Sequence, residues 1–335
     1  MATGAASRFT QRIAGLAPRF SQMELRPELR SRLRWLKLLG IIALLLSPAL
    51  VALGGQFVAR LGRGPSLAMG AGLLGLPAIA VGVRRGTRLL KNRRETQFDR
   101  SSAHAIQRLI LPQELPLCRG FGLAAVCRTY REVGGDYYDA IPLRDERLLL
   151  AVGDVSGKGM PAALVTSGIH AIMRTQAGES RGLPDIARMV ANYLSQHTRR
   201  YATMVFGILD PKARTFTYIN AGHNPPLLLR DQGSLERLGA SGPPIGLLPD
   251  THYTEEAVAL QPGDRLLFYT DGLTDRPNRA GENYGDERLA AALRACTHAS
   301  PAHMTELILQ DNDQFARATP PDDDISLLIV KCYKR

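Results

Sequence analysis

Cysteine is scarce. There are four in 335 residues, Cys118, Cys127, Cys296 and Cys332, with no C-x-x-C pair among them. Thiols scattered in this way exclude a disulfide framework and a cysteine-based zinc site, and they read as reduced cysteines of a cytosolic domain. The seven histidines form no H-E-x-x-H or H-x-H cluster, which sets a zinc enzyme aside. No strand–G-x-x-x-x-G-K-[ST]–helix unit occurs, so a P-loop nucleotide enzyme is disfavoured. Acidic residues are nearly missing from the first hundred positions, four against 17 Lys and Arg, whereas the remainder holds 27 against 25. The formal charge of +11 therefore describes the N-terminal segment, and the near-neutral remainder carries no electrostatic footprint for nucleic acid.

What the N-terminal third does have is two long uncharged runs, Leu38–Ala59 and Gly64–Val83. Each is long enough to cross about 30 Å of hydrocarbon as a helix. Eight basic residues precede the first run and seven follow the second, while the loop between them holds only Arg60 and Arg63. The positive-inside rule then puts both ends in the cytoplasm, with Trp35 as an interfacial aromatic. A cleaved signal peptide is disfavoured by the length of the basic region and by the second span. The acid-free, Arg-bearing residues 1–22 fit an organelle transit peptide or a basic juxtamembrane helix equally well. Gly70-Ala71-Gly72-Leu73-Leu74-Gly75 matches a dinucleotide-binding pattern, but it lies inside an uncharged span with no acidic residue about 20 positions on. Those glycines read as helix-packing residues.

Phe98, Ala103, Ile106 and Ile110 recur at helical spacing, which predicts a helix leaving the membrane and stopping before Pro112. Two readings of it stand: a rigid spacer, or a dimerising helix that carries a signal. Beyond it, strands are predicted at Gly122–Arg128, Leu148–Gly153, Thr203–Leu209, Thr215–Asn220, Pro226–Arg230, Thr254–Leu260, Arg265–Thr270 and Ile325–Lys331. Helices are predicted at Met160–Gln176, Pro184–Arg199, Asp286–Cys296 and Pro301–Ala316, with Asp210–Arg214 as a hairpin turn. Antiparallel runs of strand interrupted by helix pairs indicate α+β layers and not a doubly wound parallel sheet.

Four segments place carboxylates at strand ends or beside glycines: Val133–Asp139, Val152–Gly159, Tyr269–Asp275 and Asp322–Ser326. Hard cations such as Mg²⁺ and Mn²⁺ take oxygen ligands. A pair of them about 3.5–4 Å apart can activate a water and stabilise an in-line displacement at phosphorus. One Gly-Asp at a strand end is usually only a turn; four such segments in one domain suggest a two-metal site.

These segments, in this order, resemble the phosphatase domain of PPM-type enzymes of the SpoIIE/RsbU branch. The likeness begins at Ile106–Pro112 and includes Glu132–Asp139, Gly153–Ala163, Asn220–Pro226, Pro244–Leu247, Tyr269–Asp275 and Asp323–Ser326. It implies an αββα sandwich of two mainly antiparallel sheets flanked by helices, with two divalent cations, Mn²⁺ or Mg²⁺, in a cleft between sheet edges. On the matching motifs Asp136 and Asp154 would be shared by the two ions, the carbonyl of Val155 would be a further ligand, and Asp271 and Asp323 would complete the set. Asp324 follows directly, and a one-place shift exchanges it with Asp323. Asp139 and Asp275 are read as supporting carboxylates. Ser156 stands where animal relatives have a histidine, so no general acid is assigned; a metal-bound water or Lys158 are the alternatives. His223 reads as locking its Gly-His-Asn-Pro-Pro turn, and a phosphate-gripping role is left open between Arg128 and Arg131.

The implied organisation is a basic cytosolic segment 1–37, a transmembrane hairpin 38–83 set in membrane lipid, a helical linker 84–112 and a phosphatase domain 113–335. The implied activity is hydrolysis of phosphoserine or phosphothreonine on a regulatory protein, such as an anti-sigma-factor antagonist in a partner-switching pathway. A homodimer through residues 85–112 is the expectation if the linker helix self-associates. The competing functions are a non-catalytic relative that binds a partner through the same fold, and a phosphohydrolase acting on a small molecule.

Overall fold

The computed structural model describes residues 102–334, apart from 131, 132, 180, 181, 297 and 318, together with Thr87. The two apolar runs of the expected membrane hairpin, the basic segment before them and most of the linker lie outside the described residues. Among the described residues no helix is long and apolar enough to cross a membrane.

A helix over residues 102–110 (α1) leads into ten strands and five further helices. The strands are β1 (Phe121–Arg128), β2 (Asp136–Pro142), β3 (Leu148–Val155), β4 (Ala202–Asp210), β5 (Thr215–Ala221), β6 (Leu227–Leu229), β7 (Leu235–Arg237), β8 (Glu256–Ala259), β9 (Arg265–Tyr269) and β10 (Ile325–Cys332). The helices are α2 (Met160–Glu179), α3 (Leu183–His197), α4 (Asp271–Thr274), α5 (Gly285–Ala295) and α6 (Pro301–Ala316). One sheet has the order β1-β10-β9-β6-β7, the other β2-β3-β4-β5-β8. All neighbouring strands are antiparallel.

Strand alternation shows how the layers stack. In β9 and β10, Leu266, Phe268, Leu328 and Val330 join the core between the sheets. Their neighbours Leu267, Tyr269, Leu327 and Ile329 face the other way, onto Leu289 and Leu293 of α5 and Met304 and Ile308 of α6. A strand covered on both faces reads as a continuous apolar run and not as an alternating one, which is why Leu148–Val152 and Leu327–Val330 are so uniformly hydrophobic. Across the inter-sheet core Phe216 of β5 meets Phe268 of β9 edge to face, with centroids 5.5 Å apart. On the outer face of the second sheet, α2 packs on β2 and β3. The result is helix, sheet, sheet, helix.

Two element boundaries follow from local chemistry. The Ser300 hydroxyl accepts from the His303 backbone N–H ahead of Pro301, which starts α6. The Asp210 carboxylate accepts from the N–H groups of Lys212 and Ala213, closing the β4–β5 turn. Two strands differ from the sequence reading. Asp136–Pro142 is a fully formed strand and not a glycine-led turn, because its buried partner β3 supplies the ladder that Gly134-Gly135-Asp136 alone would not suggest. Leu235–Arg237 is a short edge strand too polar to announce itself.

Candidate metal centre

The register of β2 and β3 sets Asp136 directly opposite Asp154. Directly paired residues project to the same face of a sheet, so the two carboxylates share one side. The other sheet delivers the rest. β9 ends at Tyr269, Thr270 turns the chain, and Asp271 opens α4; the neighbouring β10 is preceded by Asp322, Asp323 and Asp324. The turn from β9 lies hard against the start of β10. A Cβ on Gly272 would overlap the Asp324 carbonyl and sit 3.3 Å from the Asp323 Cβ. Glycine is needed again at Gly135, where a Cβ would fall 2.7 Å from Asp154 Oδ1 and 2.8 Å from the Val155 carbonyl. The Val155 carbonyl thus lies beside the Asp154 carboxylate.

This gathering is electrostatically costly. Burial, then Asp154 and Asp324, raise Asp136 well above the usual carboxylate range, against a hydrogen bond from the Thr270 hydroxyl at 2.8 Å. Burial and the charges of Asp271, Asp323 and Asp324 push Asp154 up to about 8, with Lys158 opposing. Asp271, at the exposed rim, is raised by the atoms packed around it and by Asp275 and Asp323. The compensating contact is Lys158, whose Nζ lies 2.6 Å from Asp323 Oδ2 and donates to the Asp322 carbonyl. So many oxygen ligands with so little positive charge have the donor chemistry that a hard cation takes. Among the described residues, no three such side chains are already drawn together tightly enough to hold an ion. Lys158 occupies Asp323, and Mg²⁺ sites keep several waters between ion and protein.

Adjacent aspartates do different things. Both oxygens of Asp324 are committed to backbone, accepting from Tyr130 N–H and Gly135 N–H at 2.8 Å each. They hold the segment that carries Asp136. Asp323 instead faces Lys158. Asp139 lies on the opposite face of β2, fully buried, accepting from Arg174 at 2.9 and 2.7 Å and from the Ala140 N–H. Burial would raise it, but the His170 ring 3.4 Å away and the hydrogen bonds from Arg174 hold it below the usual range, and it pins α2 to the sheet. Asp275 is an exposed neighbour whose N–H bonds the Asp271 carbonyl.

His223 is buried, its ring bonded to Thr203 and its N–H to the Asn220 side chain. Burial lowers it to about 4, so it is neutral at pH 7 and serves its turn. Ser156 exchanges hydrogen bonds with Tyr201. Arg128 pairs with Asp313 at 3.0 Å, and Arg131 lies outside the described residues. Three residues carry structural duties at the site that their sequence context does not reveal. Arg200 donates to the Ser156 carbonyl and covers Gly157, bringing a guanidinium to the loop after Asp154. Thr270 links Asp136 to the Ser326 N–H. Gln107 of α1 grips Gly134 at both backbone groups, at 2.8 and 3.0 Å.

Two antiparallel sheets between helices, with carboxylates from both meeting at one end, define a PP2C-type domain. The solved SiaA-PP2C domain of Pseudomonas aeruginosa has this fold, with a TM-score of 0.63 at 24% identity over 72% of this chain and 98% of that one. The model of the SpoIIE family (Stage II sporulation protein E) matches residues 144–333, and the chain belongs to that family. The structure of the RsbU and RsbW domains of Rv1364c from Mycobacterium tuberculosis is similar over 68% of this chain and 64% of that one. Its TM-score is 0.59 and its identity 31%. The phosphoserine phosphatase RsbP of Bacillus subtilis is 29% identical over 150 residues, which is 43% of this chain and 37% of RsbP. The chain spans 37% to 51% of the length of the first curated relatives it matches.

Proposed function

We propose that this chain is a divalent-cation-dependent protein phosphatase that hydrolyses phosphoserine or phosphothreonine, releasing inorganic phosphate and the free alcohol. The observation that carries the reading is the under-compensated carboxylate cluster, in which Asp136 pairs with Asp154 across β2 and β3, and Asp154 lies near Asp271 and Asp323, which follow β9 and precede β10. RsbP's designation as a phosphoserine phosphatase and the pairing of RsbU with RsbW domains in Rv1364c support a regulatory phosphoprotein substrate in a partner-switching pathway.

Asp136, Asp154, the Val155 carbonyl, Asp271 and Asp323 would hold Mn²⁺ or Mg²⁺. Such ions, when bound, lower the pKa of a coordinated water and neutralise charge on the phosphoryl group. The chain's own residues prepare that site. Thr270 fixes the Asp136 carboxylate, and Asp324 and Gln107 fix the glycines before it. Lys158 holds Asp323, and Arg200 holds the loop that carries the Val155 carbonyl. The uncharged runs Leu38–Ala59 and Gly64–Val83 and their basic flanks support anchoring in a membrane with the catalytic domain on the cytoplasmic side.

Phosphate release from p-nitrophenyl phosphate by the full chain tests the chemistry. Turnover should require Mn²⁺ or Mg²⁺, vanish with a chelator, and fall on the order of 10²–10³-fold or more in Asp154→Asn. A folded chain that binds Mn²⁺ without turnover would favour a partner-binding relative and defeat the phosphatase reading.

A further inference from the structure

Next to the carboxylate cluster, an open groove of about 750 Å³ runs between α2 and the end of α3. Its inner end is Ser156 and Gly157, two and three residues beyond Asp154; its sides include Leu164 and Tyr193, and its rim Arg199 and Arg200. Leu164 is 64% exposed, although its neighbours Ala163 and Val165 are buried. In the turn after Ile245, Leu247 and Leu248 are 47% and 56% exposed. Their turn packs against this region, since Ile245 bridges Ala202 and a Cβ on Gly246 would lie 2.9 Å from the Leu194 Cβ. None of the described residues lining the groove is acidic. A short apolar trough with an arginine rim therefore opens onto a site that is itself strongly acidic.

A phosphoserine presents the same monoester in every protein, so discrimination between substrates has to come from contacts away from the reacting atoms. We propose that this groove docks the stretch of the substrate protein flanking the phosphoserine, and that it selects an apolar side chain accompanied by acidic ones. The proposal rests on the phosphatase reading above. Extended chain advances roughly 3.3–3.6 Å per residue, so a peptide with its phosphate at the carboxylates enters the groove within about two to four residues. The acidic neighbours complement Arg199 and Arg200, and the apolar side chain covers Leu164.

The test uses the full chain with Mn²⁺ and synthetic phosphoserine peptides. One set carries Leu and two Asp at the second to fourth positions, on the N-terminal or the C-terminal side; control sets carry Ala, or Lys in place of Asp. On at least one side, kcat/KM for the Leu/Asp peptide should exceed that for the Lys peptide about tenfold. Arg199→Glu should reverse the charge preference, and Leu164→Asp should remove the preference for Leu, each normalised to the same variant's p-nitrophenyl phosphate turnover. Both side chains are exposed, so neither substitution disturbs the core. Turnover of the aryl phosphate by the wild-type chain with all peptides treated alike would overturn the docking proposal and leave the phosphatase reading standing. No turnover of either kind of substrate would remove the phosphatase reading, and the docking proposal with it. Dimerisation abolished by Leu164→Asp, or Arg199-dependent binding to phosphatidylglycerol vesicles without peptide preference, would assign the groove to another occupant and overturn the proposal.

Discussion

Asp323 and Asp324 are chemically identical neighbours, and replacing each by asparagine should give opposite signatures. In Asp324→Asn the amide oxygen retains one of the two backbone donors, Tyr130 or Gly135, while its NH₂ confronts the other. One charge-assisted hydrogen bond is lost and one buried N–H is left unsatisfied, a cost of roughly 2–4 kcal/mol. In metal-free protein part of this is offset, because one negative charge leaves a cluster in which Asp323, Asp324 and their neighbours repel one another. Mn²⁺ would remove that offset. Asp324→Asn should therefore be more destabilising with Mn²⁺ than without. Asp323→Asn breaks an ion pair whose partners are 44% and 39% exposed, which costs about 0–1 kcal/mol. It should instead abolish most of the stabilisation that saturating Mn²⁺ confers, on the order of 2.7 kcal/mol at a hundredfold excess over Kd. Thermal unfolding by circular dichroism reads both effects at about 2–4 °C per kcal/mol for a domain of this size. A metal-free Asp323→Asn protein that melts below Asp324→Asn while keeping its full response to Mn²⁺ would refute both assignments.

Metal-free protein should lose stability as pH rises from about 4 to about 8. Folded Asp154 keeps its proton up to about pH 8 whereas the unfolded chain releases it near pH 4, and saturating Mn²⁺ should flatten that slope in a melting series. Asp139 acts with the opposite sign: its stabilisation is complete above the unfolded carboxylate pKa and is lost as pH falls through its depressed folded value. Asp139→Ala should cost about 1–3 kcal/mol in denaturant unfolding at pH 7, because it leaves the buried Tyr137 hydroxyl without its partner and frees the partly exposed Arg174; a cost below about 0.5 kcal/mol would contradict the assigned role. Gln107→Ala should cost about 1–3 kcal/mol and weaken Mn²⁺ binding measured by calorimetry, since both hydrogen bonds to Gly134 disappear; unchanged affinity would uncouple α1 from the site.

How much could be read beforehand depended on whether the signal was local. The Ser300-Pro301 start and the apolar spacing after it locate α6 at its observed bounds. The layered architecture follows from apolar runs too short for helices. β2 is not announced locally because it opens on aspartate directly after two glycines, and its pairing with β3 makes it a strand. The carboxylates of the site are legible as motifs, but the split between Asp323 and Asp324 is not. Two identical side chains one position apart are told apart only by what each meets across the sheets. Arg200, Thr270 and Gln107 leave no trace of their kind in a linear reading, since their partners are 44, 134 and 27 positions away.

The place of β10 between β1 and β9 has a kinetic consequence. The hydrogen bond from Gly135 to Asp324 joins positions 189 apart, one immediately before β2 and the other immediately before β10. Closing so long a loop costs about 2.5 kcal/mol more entropy than closing a ten-residue turn, so local hairpins such as β4–β5 should form well before it. Until β10 is seated, Asp136 and Asp154 belong to one half of an unfinished sandwich and Asp271 and Asp323 to the other. In a refolding experiment, Mn²⁺ binding should lag behind the early rise in β-structure and arrive with the last sheet contacts. A partly folded chain would then display exposed strands but no competent metal centre, and the onset of activity would time the completion of the fold.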